Sequence, residues 1–245
     1  MDVPALQRAL AELRLDGWLL YDFHGQNPTA LHVLGLGGKM LTRRFFLLLP
    51  REGEATLVVH AIETSQFPPE VPGRREVYAS WTSLREKLGR ALGSLPRGAK
   101  VAMEYFPGGA IPTLSRVDAG TLELVRSFGV EVVSSADLVQ RFLCRLDAAQ
   151  VESHKRALAA IDAAKDAAFA RIGEAHRRGE SPLETEIQAF LVDRFREAGL
   201  ETDHPPIVAV NGHAGDPHYA PSAGTPTPIR KGDLVLIDLW ARGTG

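Results

Sequence analysis

The sequence predicts two domains: an α/β domain over residues 1–146 and the first part of an α+β domain over residues 147–245. Before residue 147, short apolar runs with strand character alternate with helix-like segments, which is typical of an α/β fold. After residue 150, a long proline-free stretch has helical apolar spacing, and strand character returns only near residue 206. We therefore place the domain boundary at this change from mixed to helical sequence.

The first domain begins with a predicted helix, because Leu6, Leu10 and Leu13 have helical spacing. The apolar run that follows Gly17 predicts a buried strand over residues 18–21. We expect further strands at 44–49, 56–59, 101–103 and 130–133, and helices at 82–93, 111–128 and 136–146. Cys144 is the only cysteine, so we interpret it as a small buried hydrophobic residue and not as half of an intramolecular disulfide.

The second domain begins with a long predicted helix over residues 151–178. Its apolar stripe consists of Leu158, Ile161, Ala168 and Ile172. A second helix is predicted from Ser181 as N-cap, with Pro182 in the first position, Glu184 completing a capping box, an apolar face from Leu183 to Phe195 and an end at Gly199. A strand at 206–210, a loop rich in Gly, Pro and His, and a strand at 233–240 complete the pattern.

Composition and charge exclude several classes of protein. The chain has 245 residues, of which 44% are hydrophobic and 24% charged, as in an average globular protein. It carries 28 basic and 30 acidic side chains, so its charge predicts neither a nucleic-acid partner nor an anionic membrane surface. The N-terminus lacks the pattern of a secretory signal, and no run of 18 apolar residues occurs. Together with the single cysteine, these features favour the cytoplasm.

Asp238 is a candidate functional residue because of its position in an apolar strand. Alternation along the strand places Asp238 on the same face as Leu234, Leu236 and Trp240, and we expect both faces to be buried. An isolated buried carboxylate would cost several kcal/mol or more, which points to a metal ion or an arginine beside it. The alternative is that Asp238 caps a turn or pairs with Arg242 at the strand end.

Two histidines in the preceding loop are further candidates. His218 lies in the run Asp216-Pro217-His218-Tyr219, and it is either a site residue or an exposed, locally hydrogen-bonded loop histidine. We interpret His213, which stands between glycine-rich neighbours, as an exposed loop residue. Spacing alone does not decide between these readings.

Three successive motifs carry a resemblance to a known family. They are Pro206-Ile207-Val208-Ala209-Val210-Asn211-Gly212, then His218-Tyr219-x-Pro221, then Lys231-Gly232-Asp233-Leu234-Val235-Leu236-Ile237-Asp238. Their order resembles the start of the catalytic domain of the pita-bread (creatinase/aminopeptidase-like) metallopeptidases, in the branch of Xaa-Pro aminopeptidases and Xaa-Pro dipeptidases (prolidases). The helical pair that includes Ser181–Glu186 is similar too, and in that branch an N-terminal α/β domain of this size precedes the catalytic domain.

The resemblance implies a function and a set of site residues. Asp238 matches the first of five ligands, two Asp, one His and two Glu, that hold two divalent metal ions, and His218 matches a histidine that hydrogen-bonds the substrate or the tetrahedral intermediate. The implied activity is hydrolysis of Xaa-Pro bonds in short peptides by a homodimer. Oxygen-rich ligands favour manganese over cobalt or zinc.

Four of these five ligands would lie beyond Gly245. The second domain is thus expected to be incomplete and the 245-residue chain inactive, with the apolar faces of Leu158–Ile172 and Leu183–Phe195 exposed and prone to aggregation. Trp240 stands where the family often has glycine, which leaves the pocket shape open. Three alternatives remain: a metal-free, creatinase-like amidinohydrolase that uses His218, a pita-bread homologue that binds peptides or proteins without cleaving them, and an α/β domain that acts alone in dimerisation.

Overall fold

The computed structural model describes residues 1–222, 224–225 and 227–243. The chain divides into two compact units, an N-terminal unit (Met1–Arg145) and a C-terminal unit (Leu146–Gly245). In the described part of the chain, no helix is long and apolar enough to cross a lipid bilayer.

The N-terminal unit is built on a six-stranded mixed sheet. Its strands are β1 (Gly17–Asp22), β2 (Phe45–Pro50), β3 (Thr56–His60), β4 (Arg74–Tyr78), β5 (Lys100–Met103) and β6 (Glu131–Ser134). The spatial order is β4-β3-β2-β1-β5-β6, in which β2 is antiparallel to both its neighbours and all other pairs are parallel. The carboxyl ends of β1, β3, β4, β5 and β6 therefore meet at one edge.

Helices cover both faces of this sheet. They are α1 (Val3–Glu12), α2 (Pro28–Leu34), α3 (Trp81–Leu92), α4 (Ala119–Arg126) and α5 (Ala136–Phe142). All six residues of β1 and of β2 are buried. Successive side chains of β1 enter two different hydrophobic clusters, Trp18 and Leu20 on one face and Leu19 and Tyr21 on the other. Two-sided burial explains why these strands have continuous apolar sequences.

Most of the predicted elements of this unit are confirmed, but a strand and a helix were missed. Two predicted helices were too long, one of which ends at Phe142 and not at residue 146. The sequence did not predict β4, whose Arg74, Arg75 and Val77 are exposed because it is an edge strand. It also did not predict α2, a short helix that begins at Pro28 after the N-cap Asn27. The helix expected at 111–128 is restricted to Ala119–Arg126, where Asp118 caps its start.

The C-terminal unit consists of two long helices and two short strand pairs. The elements are α6 (Ala148–Arg177), α7 (Glu184–Glu197), β7 (Leu200–Glu201), β8 (Ile207–Val210), β9 (Val235–Asp238) and β10 (Arg242–Gly243). β8 pairs antiparallel with β9, and β7 pairs antiparallel with β10. A third hydrophobic cluster joins the helices to β8 through residues that include Ile172, Ile187, Leu191, Phe195 and Val208.

This cluster corrects the expectation that the apolar faces of both helices are exposed. Ile187, Leu191 and Phe195 are at most 1% exposed, and Ile172 is 6% exposed, because α6, α7 and β8 cover one another. Of the predicted helix stripe, only Leu158 lies in the open, with 49% of its surface exposed.

The start of α7 also differs from the prediction. Ser181 is not the N-cap, because the N-cap position is taken by Leu183, which is extended and forms an antiparallel bridge with Pro228. The Ile229 N–H donates to the Pro182 carbonyl at 2.8 Å, and the Glu184 N–H donates to the Thr227 carbonyl at 3.0 Å. The helix starts at Glu184, and its N-terminal capping interaction comes from Glu186, which accepts the Leu183 N–H at 2.8 Å.

Cys144 is exposed, so its interpretation as a buried hydrophobic residue is wrong. It follows the end of α5 at Phe142, where the chain leaves the sheet layer and the next helix has not yet begun. The side chain therefore has no core to enter.

Candidate functional site in the C-terminal unit

Asp238 is the last residue of β9, opposite Ile207 of β8. Burial alternates along this strand: Val235 and Ile237 turn toward the third hydrophobic cluster, while Leu236 and Asp238 are exposed. The expectation that both faces of this strand are buried is wrong, because the cluster takes only the face that carries Val235 and Ile237. The Asp238 carboxylate is exposed to solvent on the other face.

The alternative pairing of Asp238 with Arg242 is also wrong. The Arg242 guanidinium binds Glu201 at 3.0 Å and Asp203 at 3.3 Å. Among the described residues, none makes a hydrogen bond or ion pair with the Asp238 side chain. Its carboxylate oxygens are thus available to a ligand from outside the described structure.

His218 lies on the segment between β8 and β9. Its backbone N–H donates to the Asp216 side chain at 2.9 Å, which forms a local turn, and its imidazole is exposed. Among the described residues, no hydrogen bond or ion pair joins His218 and Asp238.

The segment that carries His218 is instead held by a buried carboxylate, Glu184. Only 1% of the Glu184 surface is exposed. Its carboxylate accepts the Val210 N–H at 2.7 Å, His213 Nδ1 at 3.0 Å and a short hydrogen bond from the Tyr219 hydroxyl. The His213 and Tyr219 rings stack at 4.2 Å between centroids, with 22° between their planes. Glu184 therefore joins the start of α7 to both ends of the segment 210–219.

These contacts revise the interpretation of two residues. His213 was expected to be an exposed loop residue, but it is half-buried and bonded to Glu184. Glu184 was expected to complete a helix cap, but its side chain points away from the helix end into the loop. Burial, and then the nearby Glu184 carboxylate, raises the pKa of Tyr219 to about 12, so Tyr219 stays protonated and donates to Glu184 at neutral pH.

A second set of hydrogen bonds attaches the beginning of the same segment to the two residues just before β9. Asn211, at a φ of +48°, donates from its side-chain amide to Asp233 at 2.7 Å and accepts the Leu234 N–H at 3.0 Å. The backbone N–H of Arg230, followed by Asn211, lowers the pKa of Asp233. The Asp233 carboxylate therefore stays ionised. The segment is fixed at its start by Asn211 and at its far end by Tyr219.

The described residues do not by themselves form a metal centre. Across residues 1–222, 224–225 and 227–243, no group of three or more His, Cys, Asp or Glu side chains could hold a metal ion. Asp238 offers one unpaired carboxylate, a hard oxygen ligand suited to divalent cations. Asp238, the ligand predicted from the sequence, is thus an exposed carboxylate without a bonded partner among the described residues, and His218 is, separately, an exposed imidazole on a loop held by hydrogen bonds.

The sequence of the C-terminal unit is similar to a known protein family. The sequence model of metallopeptidase family M24 matches residues 152–245, a segment that includes both His218 and Asp238. The resemblance found in the sequence is confirmed: this segment matches the M24 family model. A search of curated proteins found no significant match.

Solved structures show the same fold over nearly the whole chain. A dipeptidase PepE from Mycobacterium ulcerans has a TM-score of 0.67 and 19% identity, with 96% of this chain and 58% of that one covered. The prolidase from Pyrococcus furiosus has a TM-score of 0.56 and 19% identity, and the match covers 99% of this chain and 66% of that one. An X-Pro aminopeptidase from Thermotoga maritima has a TM-score of 0.56 and 19% identity, and the match covers 96% of this chain and 61% of that one. The chain thus spans about three fifths of the length of these structures.

These likenesses confirm the predicted fold class. The chain has an α/β N-terminal unit followed by the first part of a pita-bread fold. At identities below 20%, the solved structures establish this fold and carry no further statement about activity.

Proposed function

We propose that the protein containing this chain is a metal-dependent peptidase that hydrolyses Xaa-Pro bonds in dipeptides or at peptide N-termini. The observation that carries the proposal is the M24 match over residues 152–245, which includes the motifs around His218 and Asp238. Similarity of fold to a prolidase and an X-Pro aminopeptidase supports the choice of substrate. In this proposal, residues 147–245 begin the catalytic domain.

Asp238 is the proposed metal ligand in this chain. Its carboxylate is exposed and unpaired among the described residues, which suits a ligand that must be free to bind a cation. The other four ligands of a dinuclear site are expected in the part of the relatives' length that this chain does not span. When bound, two divalent cations supply a hydroxide at neutral pH and polarise the scissile carbonyl. Manganese, a homodimer and a cytoplasmic location belong to the same proposal.

His218 is the proposed partner of the substrate or of the tetrahedral intermediate. An exposed imidazole can donate a hydrogen bond to an oxygen on which negative charge develops. Glu184 supports this role indirectly, since it holds Tyr219, the neighbour of His218, through the hydroxyl group. The hydrogen bond from Tyr219 to Glu184 therefore fixes the loop directly beside the His218 imidazole.

A substrate panel tests the proposed activity. The full-length protein that contains this chain is assayed with Ala-Pro, Ala-Ala and Ala-Pro-Ala, before and after treatment with a chelator. We expect cleavage of a proline-containing peptide but not of Ala-Ala, loss of activity on chelation and recovery with manganese. Cleavage of Ala-Pro measures dipeptidase activity, and release of alanine from Ala-Pro-Ala measures aminopeptidase activity.

Other outcomes would contradict the proposal. Turnover that survives complete metal removal would favour a metal-free, creatinase-like reaction. Saturable binding of Ala-Pro without any cleavage, in a protein shown to hold its metals, would favour a homologue that binds peptides only.

A further inference from the structure

A cavity of about 300 Å³ lies in the N-terminal unit, and all of its lining residues precede the segment that matches the M24 model. It opens at the edge where Phe23 follows β1, where His60 and Tyr78 end β3 and β4, and where Arg44 precedes β2. In open α/β sheets, ligands bind preferentially outside the carboxyl ends of parallel strands. The position of the cavity therefore resembles that of a ligand site.

Arg44 is the central polar group of this cavity. Its guanidinium carbon lies 5.8 Å from the centroid of the Phe23 ring and 5.4 Å from that of the Trp81 ring. The Tyr78 hydroxyl donates to the Arg44 carbonyl at 2.7 Å and so fixes the backbone from which the side chain extends. Arginine held against aromatic rings keeps its N–H donors available at the edge of the guanidinium.

This guanidinium makes no direct ion pair within the described part of the chain. No hydrogen bond or ion pair to it is recorded there, although the side chain is half-buried. Asp118 shares a neighbouring cavity with Arg44, but its carboxylate is occupied by Tyr21 at 2.9 Å and by Thr121 at 2.7 Å. The Asp118 and Arg44 charges attract one another, but Asp118 accepts no hydrogen bond from the guanidinium. The N–H donors of this half-buried guanidinium therefore lack an acceptor, which favours an anion from outside.

The residues that line the cavity indicate which chemical groups a ligand would need besides an anion. Arg43 and His60 add basic character, and no carboxylate from the described residues lines the cavity. Trp81 is 53% exposed and Phe23 37% exposed, so two large aromatic rings face solvent beside the guanidinium. Exposed aromatic side chains next to an arginine fit a ligand with one anionic and one apolar part.

We propose that this cavity binds a small organic carboxylate with an aromatic or branched apolar group, the carboxylate on the Arg44 guanidinium and the apolar group against Trp81 and Phe23. A carboxylate matches the paired N–H donors of one arginine in a bidentate geometry. The site is independent of the peptidase proposal, since every residue that forms it belongs to the N-terminal unit.

Binding to the 245-residue chain tests the proposal directly. Phenylacetate is the probe, titrated by calorimetry and by ligand-observed NMR. Phenylacetamide has the same ring without the charge, and acetate has the same charge without the ring. We expect phenylacetate to bind more tightly than either. Equal binding of phenylacetamide, or no binding of phenylacetate, would overturn the proposal.

Substitutions of residues that line the cavity test whether phenylacetate binds there. Arg44→Met is expected to weaken phenylacetate binding about 10- to 100-fold, the range for losing hydrogen bonds from a charged group. Arg44→Lys keeps the charge and is expected to lie between the parent and Arg44→Met. Trp81→Leu is expected to reduce the preference for phenylacetate over acetate. Each variant's melting temperature is compared with that of the parent.

The matched control is Arg171→Met in the C-terminal unit. Arg171 also lies over an aromatic ring, 4.9 Å from the Phe190 centroid, so the change removes an equivalent cation–π contact elsewhere. We expect it to leave binding unchanged. Equal weakening by Arg44→Met and Arg171→Met would overturn the site, and displacement of phenylacetate by equimolar inorganic phosphate would overturn the choice of a carboxylate.

Discussion

Two buried glutamates, Glu104 in the N-terminal unit and Glu184 in the C-terminal unit, each accept three hydrogen bonds but serve different structures. Glu104 is fully buried and Glu184 is 1% exposed. Glu104 accepts from Trp18 Nε1 at 2.8 Å, Asn27 Nδ2 at 2.8 Å and Ser135 Oγ at 3.1 Å. Its three donors lie on β1 and at the starts of α2 and α5, which are themselves packed in the core.

Glu184 takes two of its three hydrogen bonds from the side chains of a surface segment, those of His213 and Tyr219. Removing Glu184 therefore frees a loop, whereas removing Glu104 leaves donors unsatisfied inside a packed sheet layer. A buried carboxylate can thus stabilise a core or hold a loop in place, and the location of its donors decides which.

The largest predicted effect is that of Glu104→Ala. It removes the acceptor of the Trp18 N–H, of the Ser135 hydroxyl and of one Asn27 N–H, while the other Asn27 N–H still binds the Tyr21 carbonyl. At about 1–3 kcal/mol for each lost hydrogen bond, we expect the N-terminal unit to lose at least about 3 kcal/mol of its free energy of unfolding. Denaturant unfolding monitored by circular dichroism measures this loss. Glu123→Ala, which removes an exposed glutamate on α4, is the control and is expected to have almost no effect. A loss below about 1 kcal/mol for Glu104→Ala would contradict the role given to this residue.

The second prediction compares two leucines on strands. Leu47 is fully buried in β2, whereas Leu236 on β9 is 38% exposed. Leu47→Ala is expected to cost about 2–5 kcal/mol through lost burial and a residual cavity, and Leu236→Ala less than about 1 kcal/mol. Denaturant unfolding of both variants is the measurement. Comparable losses would mean that the outer face of β9 is packed in solution.

The third prediction concerns Glu184→Gln, which keeps the shape of the side chain and removes its charge. We expect the pKa of Tyr219 to fall from about 12 toward its ordinary value of 10, because the contribution of the Glu184 charge is lost while burial remains. NMR titration of isotope-labelled tyrosine rings, assigned with Tyr219→Phe, measures this change. Glu186→Gln, on the same turn of α7, is the control. An unchanged Tyr219 pKa in Glu184→Gln would exclude the contact.

The smallest predicted effect is a pH dependence in the N-terminal unit. Burial raises the pKa of Glu104 above its ordinary value of 4.5, against the opposing influence of its hydrogen bonds from Asn27, Trp18 and Ser135. The unfolded chain therefore releases the proton at lower pH than the folded one. The contribution of Glu104 is full below pH 4.5 and declines as the pH rises through the raised value. The stability difference between the parent and Glu104→Ala should shrink over that interval, and a growing difference would contradict the direction of the shift.

The apolar runs in the sequence predicted where strands occur, but they did not predict which faces of each strand are covered by other elements. Continuous apolar runs predicted β1 and β2 correctly, since helices cover both sides of their sheet. The similar run in β9 led to the wrong expectation for Asp238, because only its Val235 and Ile237 face is packed. An apolar run shows that a strand can be buried on both sides, and tertiary contacts decide whether it is.

The contacts of the candidate site were harder to predict than the position of its motifs. The motifs around His218 and Asp238 were found from the sequence, because they depend on residue order. The role of Glu184 was missed, since a glutamate near a helix start is usually a capping residue. Its hydrogen bonds with His213 and Tyr219 join residues 29 and 35 positions apart, and no local pattern predicts such pairs.

The most direct test of the account is the metal content of Asp238→Asn and His218→Ala in the full-length protein, measured by mass spectrometry together with turnover of Ala-Pro. If Asp238 is a metal ligand, Asp238→Asn loses at least one metal equivalent and its turnover. If His218 contacts the substrate or the intermediate, His218→Ala keeps its metals and turns over about 10²- to 10³-fold more slowly. Equal metal loss in both variants, or full activity of Asp238→Asn, would contradict the assignment.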